Sequence, residues 1–320
     1  MAGPSNYPNG FPQGVTIRGV PLTITNPGRV FWVSNATTLQ TGDLGGSDGN
    51  PGTFQKPLAT ISKASTLATA SRGDIVVVKP GHAETITAAA GIALSKAGVA
   101  FIGLGYGSMR PKITWSTANT ATLTVSADNI SFTNFQFIGS FLSIATAFSL
   151  STAKNFTLQN CPFADAGATT NFLSCITTTG AANTADGLTV TNCSWNGLGT
   201  TSVGSFITSA NDIDSAVWVG SNVKLARTAT AAIFATMSAG VLTNLIATDN
   251  VAISQQVADT GGAFINVGGT TSTGVVARNL VGDLSTTDLF MTTNVGVTFD
   301  NNKKTGVITA SGYLLPATDS

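Results

Sequence analysis

The chain has 320 residues, 42% of them hydrophobic and only 9% charged, and its 15 basic and 15 acidic side chains leave no formal net charge. That balance excludes a basic nucleic-acid footprint, and the hydrophobic content excludes a disordered polar tract. Thr, Ser, Ala, Gly and Asn fill the remainder, which predicts a weakly charged surface suited to packing against neighbours or copies of itself.

The first 55 residues carry Pro4, Pro8, Pro12, Pro21, Pro27 and Pro51 among many Gly and Asn. Such composition predicts an extended attachment arm over residues 1–55 rather than an independent core. The opening "MAGPSNYPNGFPQG" lacks the basic and apolar regions of a signal peptide, and no stretch reaches the roughly 18 apolar residues of a membrane span. A non-membrane product assembled in a cytoplasm is therefore expected.

In "KPLATISKASTLATASRG", Leu58, Ile61, Ser65 and Leu67 or Ala68 recur at helical spacing between a proline and Gly73. One amphipathic helix over about residues 56–72 is predicted, placed to cover an open sheet end. The runs "IVVVKPG" and "VAFIGLG" read as buried strands closed by glycine turns, and Ile113 with Trp115, then Leu123 with Val125, continue the alternation.

From there the chain repeats itself. "NISFTNFQF", "NFTLQNCPF", "GLTVTNCSW", "AVWVGSNVKL", "LIATDNVAI", "GVVARNLVG" and "GVTFDNNKK" align on Asn134, Asn160, Asn192, Asn222, Asn250, Asn279 and Asn301, spaced 26, 32, 30, 28, 29 and 22 apart. In the first three copies the residues two and four before the asparagine are apolar, and those one and three after it are apolar or thiol. Period two on both sides of a pivot describes two short strands joined by a one-residue corner. The fourth copy, with Val217 and Val219 set one place further out, calls for an inserted residue.

A unit of about 30 residues made of strands and corners buries its apolar face only by stacking. The reading is an all-β fold, a single-chain parallel β-helix over residues 56–305. Asn302 and Lys304 turn the last rung polar, and residues 306–320 form a tail. Asn192 then takes a left-handed corner and stacks with neighbouring asparagines. Cys193 and Cys161 hold inward places as small hydrophobes, and with Cys175 they make an odd count that argues against a disulfide framework or zinc site.

The series "SDGNPGTFQKPLATISKA", "GDIVVVKPGHAETI", "GVAFIGLG" and the rungs that follow resembles the right-handed parallel β-helix proteins of the pectin-lyase-like superfamily, over roughly residues 45–305. The leader "YPNGFPQGVTIRGVPL" with "GRVFWVSN" resembles leaders of phage structural proteins. These resemblances imply a bacteriophage virion protein, a capsid decoration or head spike held through its arm. The expected partners are the major capsid protein or another virion protein, in a homotrimer. A fold of this kind also carries enzymes, so a tailspike-type polysaccharide depolymerase or lyase, or a host-glycan-binding module, stands as the alternative.

Catalytic motifs are the test between them. His82, the one histidine, sits in the turn "PGHAE" and reads as a turn residue. "NTADG" (Asn183 to Gly187) resembles the Asn-Thr-Asp-Gly of polygalacturonases with Ala185 inserted, but that family's Asp-Asp pair, histidine and Arg-x-Lys have no counterpart. Asp212 and Asp214, two apart, would share one face of a strand. Without a third acid nearby they fall short of calcium's ligand number.

Asp43, Asp48 and Asn50 read as turn chemistry, and Arg227 and Arg278 stand singly. Of Trp32, Trp115, Trp195 and Trp218, three fall at inward positions. The sequence therefore predicts no catalytic, cofactor-binding or metal-ligating residue and no enzymatic activity.

Overall fold

A computed structural model describes residues 16–17, 20–21, 28–36, 45–199, 204–226, 231–254, 264–282, 290–292, 296–305 and 315–316. Each coil lays down three short strands whose apolar residues alternate inward, as period-two patterning requires. One turn runs through Ser131–Thr133, Gln136–Gly139 and Phe148–Leu150, the next through Thr157–Gln159, Pro162–Asp165 and Ile176–Thr178. Successive turns pair in parallel and in register: Phe132 lies opposite Leu158, Phe137 opposite Phe163, and Phe148 opposite Ile176.

Stacking builds a first sheet of ten strands, a second of ten and a third of seven among the described residues. This is the all-β parallel β-helix expected from the repeats. Its core is a column of aliphatic and aromatic side chains, with rings stepping from Phe234 to Phe264 to Phe290 at 5.1 Å. Asn302 and Lys304 occupy buried inward places on the last rung, as anticipated.

At the opposite end the strand Val30–Val33 pairs in parallel with Ile75–Val78 and extends the first sheet. The helix α1 (Ile61–Leu67) is shorter than the predicted 56–72. Its start is displaced because Leu58 is extended, donating its N–H to Trp32 O at 2.8 Å and bridging Val33. Its end is cut off where Asp74 Oδ2 accepts the Thr69 N–H at 2.8 Å. Ile61, Ala64, Ser65 and Ala68 face the core. Most of the predicted arm, and all of the tail save Leu315–Pro316, lie outside the described residues.

Between the first and second sheets each turn from Ser131–Thr133 onward passes through one residue with a left-handed backbone. These are Asn134, Asn160, Asn192, Gly220, Asp249, Arg278 and Asn301, with φ between 50° and 65°. The expected pivots at Asn222, Asn250 and Asn279 are thus corrected to Gly220, Asp249 and Arg278. The fourth turn needs no inserted residue either: with Gly220 as corner, Trp218 points inward while Val217 and Val219 face out. The requirement is conformational, and glycine meets it without strain. It also meets a spatial need, because a Cβ on Gly220 would stand 2.5 Å from Asn192 Oδ1.

The residue after the corner faces inward, and its chemistry follows from the corner. The turn leaves one strand carbonyl facing that slot, and a buried carbonyl must find a donor. Asn250 Nδ2 donates to Trp218 O at 2.9 Å, Asn279 Nδ2 to Ala247 O at 2.8 Å, and Asn302 Nδ2 to Val276 O at 2.7 Å. The three amides also bond to one another, since Asn279 Oδ1 accepts from Asn250 Nδ2 at 3.0 Å and Asn302 Oδ1 from Asn279 Nδ2 at 3.0 Å.

In earlier turns the same slot holds thiols: Cys161 Sγ donates to Phe132 O at 3.7 Å and Cys193 Sγ to Leu158 O at 3.6 Å. The thiols are therefore inward, as expected, and they serve as weak donors as well as fillers. Cys161 Sγ beside it, together with burial, pushes the Cys193 thiol well up. On the outer side of the corner Asn160 Nδ2 donates to Asn134 Oδ1 at 3.2 Å, the expected asparagine stacking.

Among the buried carboxylates, Asp165 lies in the middle turns. Asp165 ends a strand of the second sheet and accepts the N–H groups of Phe172 at 3.1 Å and Leu198 at 2.9 Å, with Trp195 Nε1 at 3.4 Å. The neighbouring turn makes room with Gly139, where a Cβ would press on the Phe172 ring at 3.0 Å. Burial pushes the Asp165 carboxyl up to about 6, against the pull of these donors.

Two outcomes follow from these buried groups. Asn279→Ala removes the acceptor shared by the Asn250 N–H and Nδ2 and the side-chain donor to Ala247 O, and chemical denaturation should show a loss of about 3 kcal/mol; a loss below about 1 kcal/mol would contradict the ladder. A carboxyl whose folded pKa is raised contributes stability below its unfolded pKa of about 4, and that contribution is lost as pH rises through about 6. Melting curves should accordingly fall between about pH 4 and pH 7 by more in the native chain than in Asp165→Asn; equal slopes would refute it.

Candidate functional site

The solenoid brings residues about 30 apart in sequence onto adjoining rungs, so any site is assembled down a column. The column with most charge lies at the corner from the third sheet back to the first. Asp128, Lys154, Asp186, Asp214 and Thr243 hold equivalent places there, each just before the residue that turns the corner: Asn129, Asn155, Gly187, Ser215 and Asn244, all with positive φ.

Lys154 Nζ reaches Asp186 Oδ2 at 3.2 Å, with the lysine half exposed. Asp186 Oδ1 accepts the Asp214 N–H at 2.9 Å, and Asp128 Oδ1 accepts the Lys154 N–H at 2.9 Å. Asp214 Oδ1 accepts Thr243 Oγ1 at 2.7 Å and Asn244 Nδ2 at 2.8 Å, and Ser215 donates to Oδ2 at 3.0 Å. Those donors, Thr243 first, lower the Asp214 pKa. Asp212 is turned aside and accepts the Val241 N–H at 2.8 Å. The pair Asp212 and Asp214 thus joins successive rungs at a strand end, Ile213–Asp214, instead of converging on one point.

Asn183 turns with φ 61° and Asp186 belongs to the charged column, which gives "NTADG" a corner role. Arg278 forms a two-point pair with Asp249, Nε to Oδ1 at 2.8 Å and Nη2 to Oδ2 at 2.7 Å, between neighbouring corners. Arg227 lies outside the described residues, as does Asp43. Among the described residues no group of three or more His, Cys, Asp and Glu converges as a metal-binding set.

His82 is wholly buried, a more specific place than a turn residue. Its Nδ1 accepts the Asn35 N–H at 3.0 Å, which leaves Nε2 to carry the proton towards Glu84 Oε2 at 3.1 Å. Glu84 Oε2 in turn accepts the Ile61 N–H at the start of α1, at 2.9 Å. Asn35 closes the knot through its side chain, Oδ1 accepting from Ala83 N at 2.7 Å and Nδ2 donating to Ala83 O at 2.5 Å.

Asp74 does similar work nearby. Burial opposes its charge, but two bonds from Arg72 at 2.7 Å and the N–H groups of Thr69 and Arg29 hold the carboxyl down at about 2. Asp48 accepts the N–H groups of Ala59 and Thr60 at 3.0 Å and the Thr60 hydroxyl at 2.9 Å, and Asn50 Nδ2 donates to Pro57 O at 2.8 Å. Both residues bind across the loop to the segment that enters α1, a longer reach than the turn chemistry expected of them.

Trp115, Trp195 and Trp218 are core residues, as expected. Trp32 is not: it faces out beside Phe54, their rings edge to face at 4.8 Å, with Lys79 Nζ 4.0 Å over the Phe54 ring. An open cleft of about 380 Å³ lies there, lined by Val30, Trp32, Thr53, Phe54 and Gln55. Among the described residues no helix is long and apolar enough to cross a membrane.

No protein-family profile matches the chain, and no curated protein does. Solved structures do. A rhamnogalacturonan lyase aligns with TM-score 0.57 and 15% identity over 87% of this chain and 74% of its own. The pectin methylesterase from Aspergillus niger aligns with TM-score 0.45 and 10% identity over 89% and 94%. ORF18 of Geobacillus virus E2 aligns with TM-score 0.29 and 11% identity over 76% and 56%.

The first of these overturns the expectation of a chain without enzymatic activity, because a solved chain that shares this fold is a lyase. Lys154, Asp186 and Asp214 lie on three successive turns, linked by one ion pair and by the Asp214 backbone N–H, a placement that no linear motif records. The chain has the parallel β-helix fold of the pectin-lyase-like proteins.

Proposed function

We propose that the chain is a bacteriophage particle protein, a capsid decoration or head spike, joined to the particle through its N-terminal segment. The observation that carries this reading is the construction of the capped end. The strand Val30–Val33 enters the first sheet there, pinned through the Arg29 N–H to Asp74 at 2.7 Å and through Asn35 to His82 at 3.0 Å. Everything before Gly28 therefore joins the rod at its reinforced end, and the leader "YPNGFPQGVTIRGVPL" in that segment resembles phage structural leaders. A weakly charged rod of stacked turns, held at one end, suits a projection from a particle.

A second reading is favoured by one specific group. Lys154 with Asp186 and Asp214 sets an ammonium and two carboxylates on the outside of adjoining rungs, groups that can serve acid–base chemistry on a polysaccharide. The lyase on the same scaffold makes a tailspike-type depolymerase a coherent alternative. Mass spectrometry of purified phage particles should find the chain as a stoichiometric component, and its absence would overturn the particle reading. Incubation with pectate and with host capsular polysaccharide decides the second: oligosaccharides released by the native chain and lost in Lys154→Ala would establish it, and an intact polymer would remove it.

A further inference from the structure

One regular surface without a role is the outer face of the first sheet. Its strands stay in register from Val30–Val33 to Val297–Asp300, so two outward rows run its whole length. Neither row holds a charged side chain before Asp300 on the last strand. The first three strands present Val30, Trp32, Ile75, Val77, Ala100 and Ile102. The next three, from Ser131 to Thr191, present only Ser, Thr and Gln. Val217, Val219, Ile246 and Val275 then restore the apolar character. Val30, Ile246 and Val275 are 48%, 45% and 41% exposed.

The last strand presents Thr298 and Asp300 where the first presents Val30 and Trp32, so an identical face sets aliphatic against aliphatic and hydroxyl against hydroxyl when the two copies lie parallel. A charged glycan or nucleic acid finds no counter-charge on it. Nine spacings of about 4.8 Å give a strip roughly 43 Å long. At roughly 12 Å wide it buries on the order of 1,000 Å² between two copies, the size at which specific interfaces begin. We propose that this face packs against the same face of a second copy of the chain.

Sedimentation equilibrium of the full chain tests this. The native protein should sediment at twice 32.4 kDa. Ile246→Glu and Val217→Lys should each fall to the single-chain mass, while Thr124→Lys on the third sheet should not. Circular dichroism will show whether each variant keeps its fold. Thr157→Cys, at the centre of the strip and needing no charge, should cross-link copy to copy under mild oxidation. A native chain of single mass, an assembly that survives both charge substitutions, or a Thr157→Cys chain that never cross-links would each overturn the proposal.

Discussion

The geometry of the corner between the first and second sheets governs the rest. Successive turns of a parallel ladder stay in register when they bend at the same place, and from Asn134 to Asn301 each corner between these two sheets does so with one left-handed residue. That bend leaves a strand carbonyl facing the slot behind the corner, and the slot is filled accordingly. Where the core is wide and aromatic, a thiol or Phe135 suffices; towards the far end, Asn250, Asn279 and Asn302 supply amides that bond to the carbonyl and to one another. A buried amide column with every donor and acceptor matched is rigid, whereas one with a gap is worse than an apolar core.

Legibility followed the same division. The repeat, the inward rows and the polar last rung were readable because period two leaves its mark on every strand. The corner itself was misplaced in three turns. Asparagine serves two roles one residue apart, as the left-handed residue in Asn134, Asn160 and Asn192 and as the buried donor in Asn250 and Asn279. An alignment on residue type merges those roles, and only φ separates them. Gly220, Asp249 and Arg278 carry the corner with no common side chain, so nothing in their identity announces it.

The charged column was harder still. Asp128, Lys154, Asp186 and Asp214 are separated by whole turns, and the loops between them differ in length, so their meeting depends on register alone. The His82 to Glu84 contact needed the end of the arm and the start of α1, neither of which the turn "PGHAE" mentions. In both cases the residue types were visible and the partners were not. A solenoid places residues of different turns side by side without a linear motif, so missing motifs were no ground for excluding catalysis.

The proposed role depends on direction: a rod held at the end closed by α1, Asp74 and the Asn35–His82 knot, with its neutral first sheet turned to a second copy. Electron cryomicroscopy of intact particles measures that direction. The account predicts rod-shaped projections with the α1 end against the particle surface and the rung of Lys303–Thr305 outermost. Projections seated on the Lys303–Thr305 end, with α1 outermost, would contradict it.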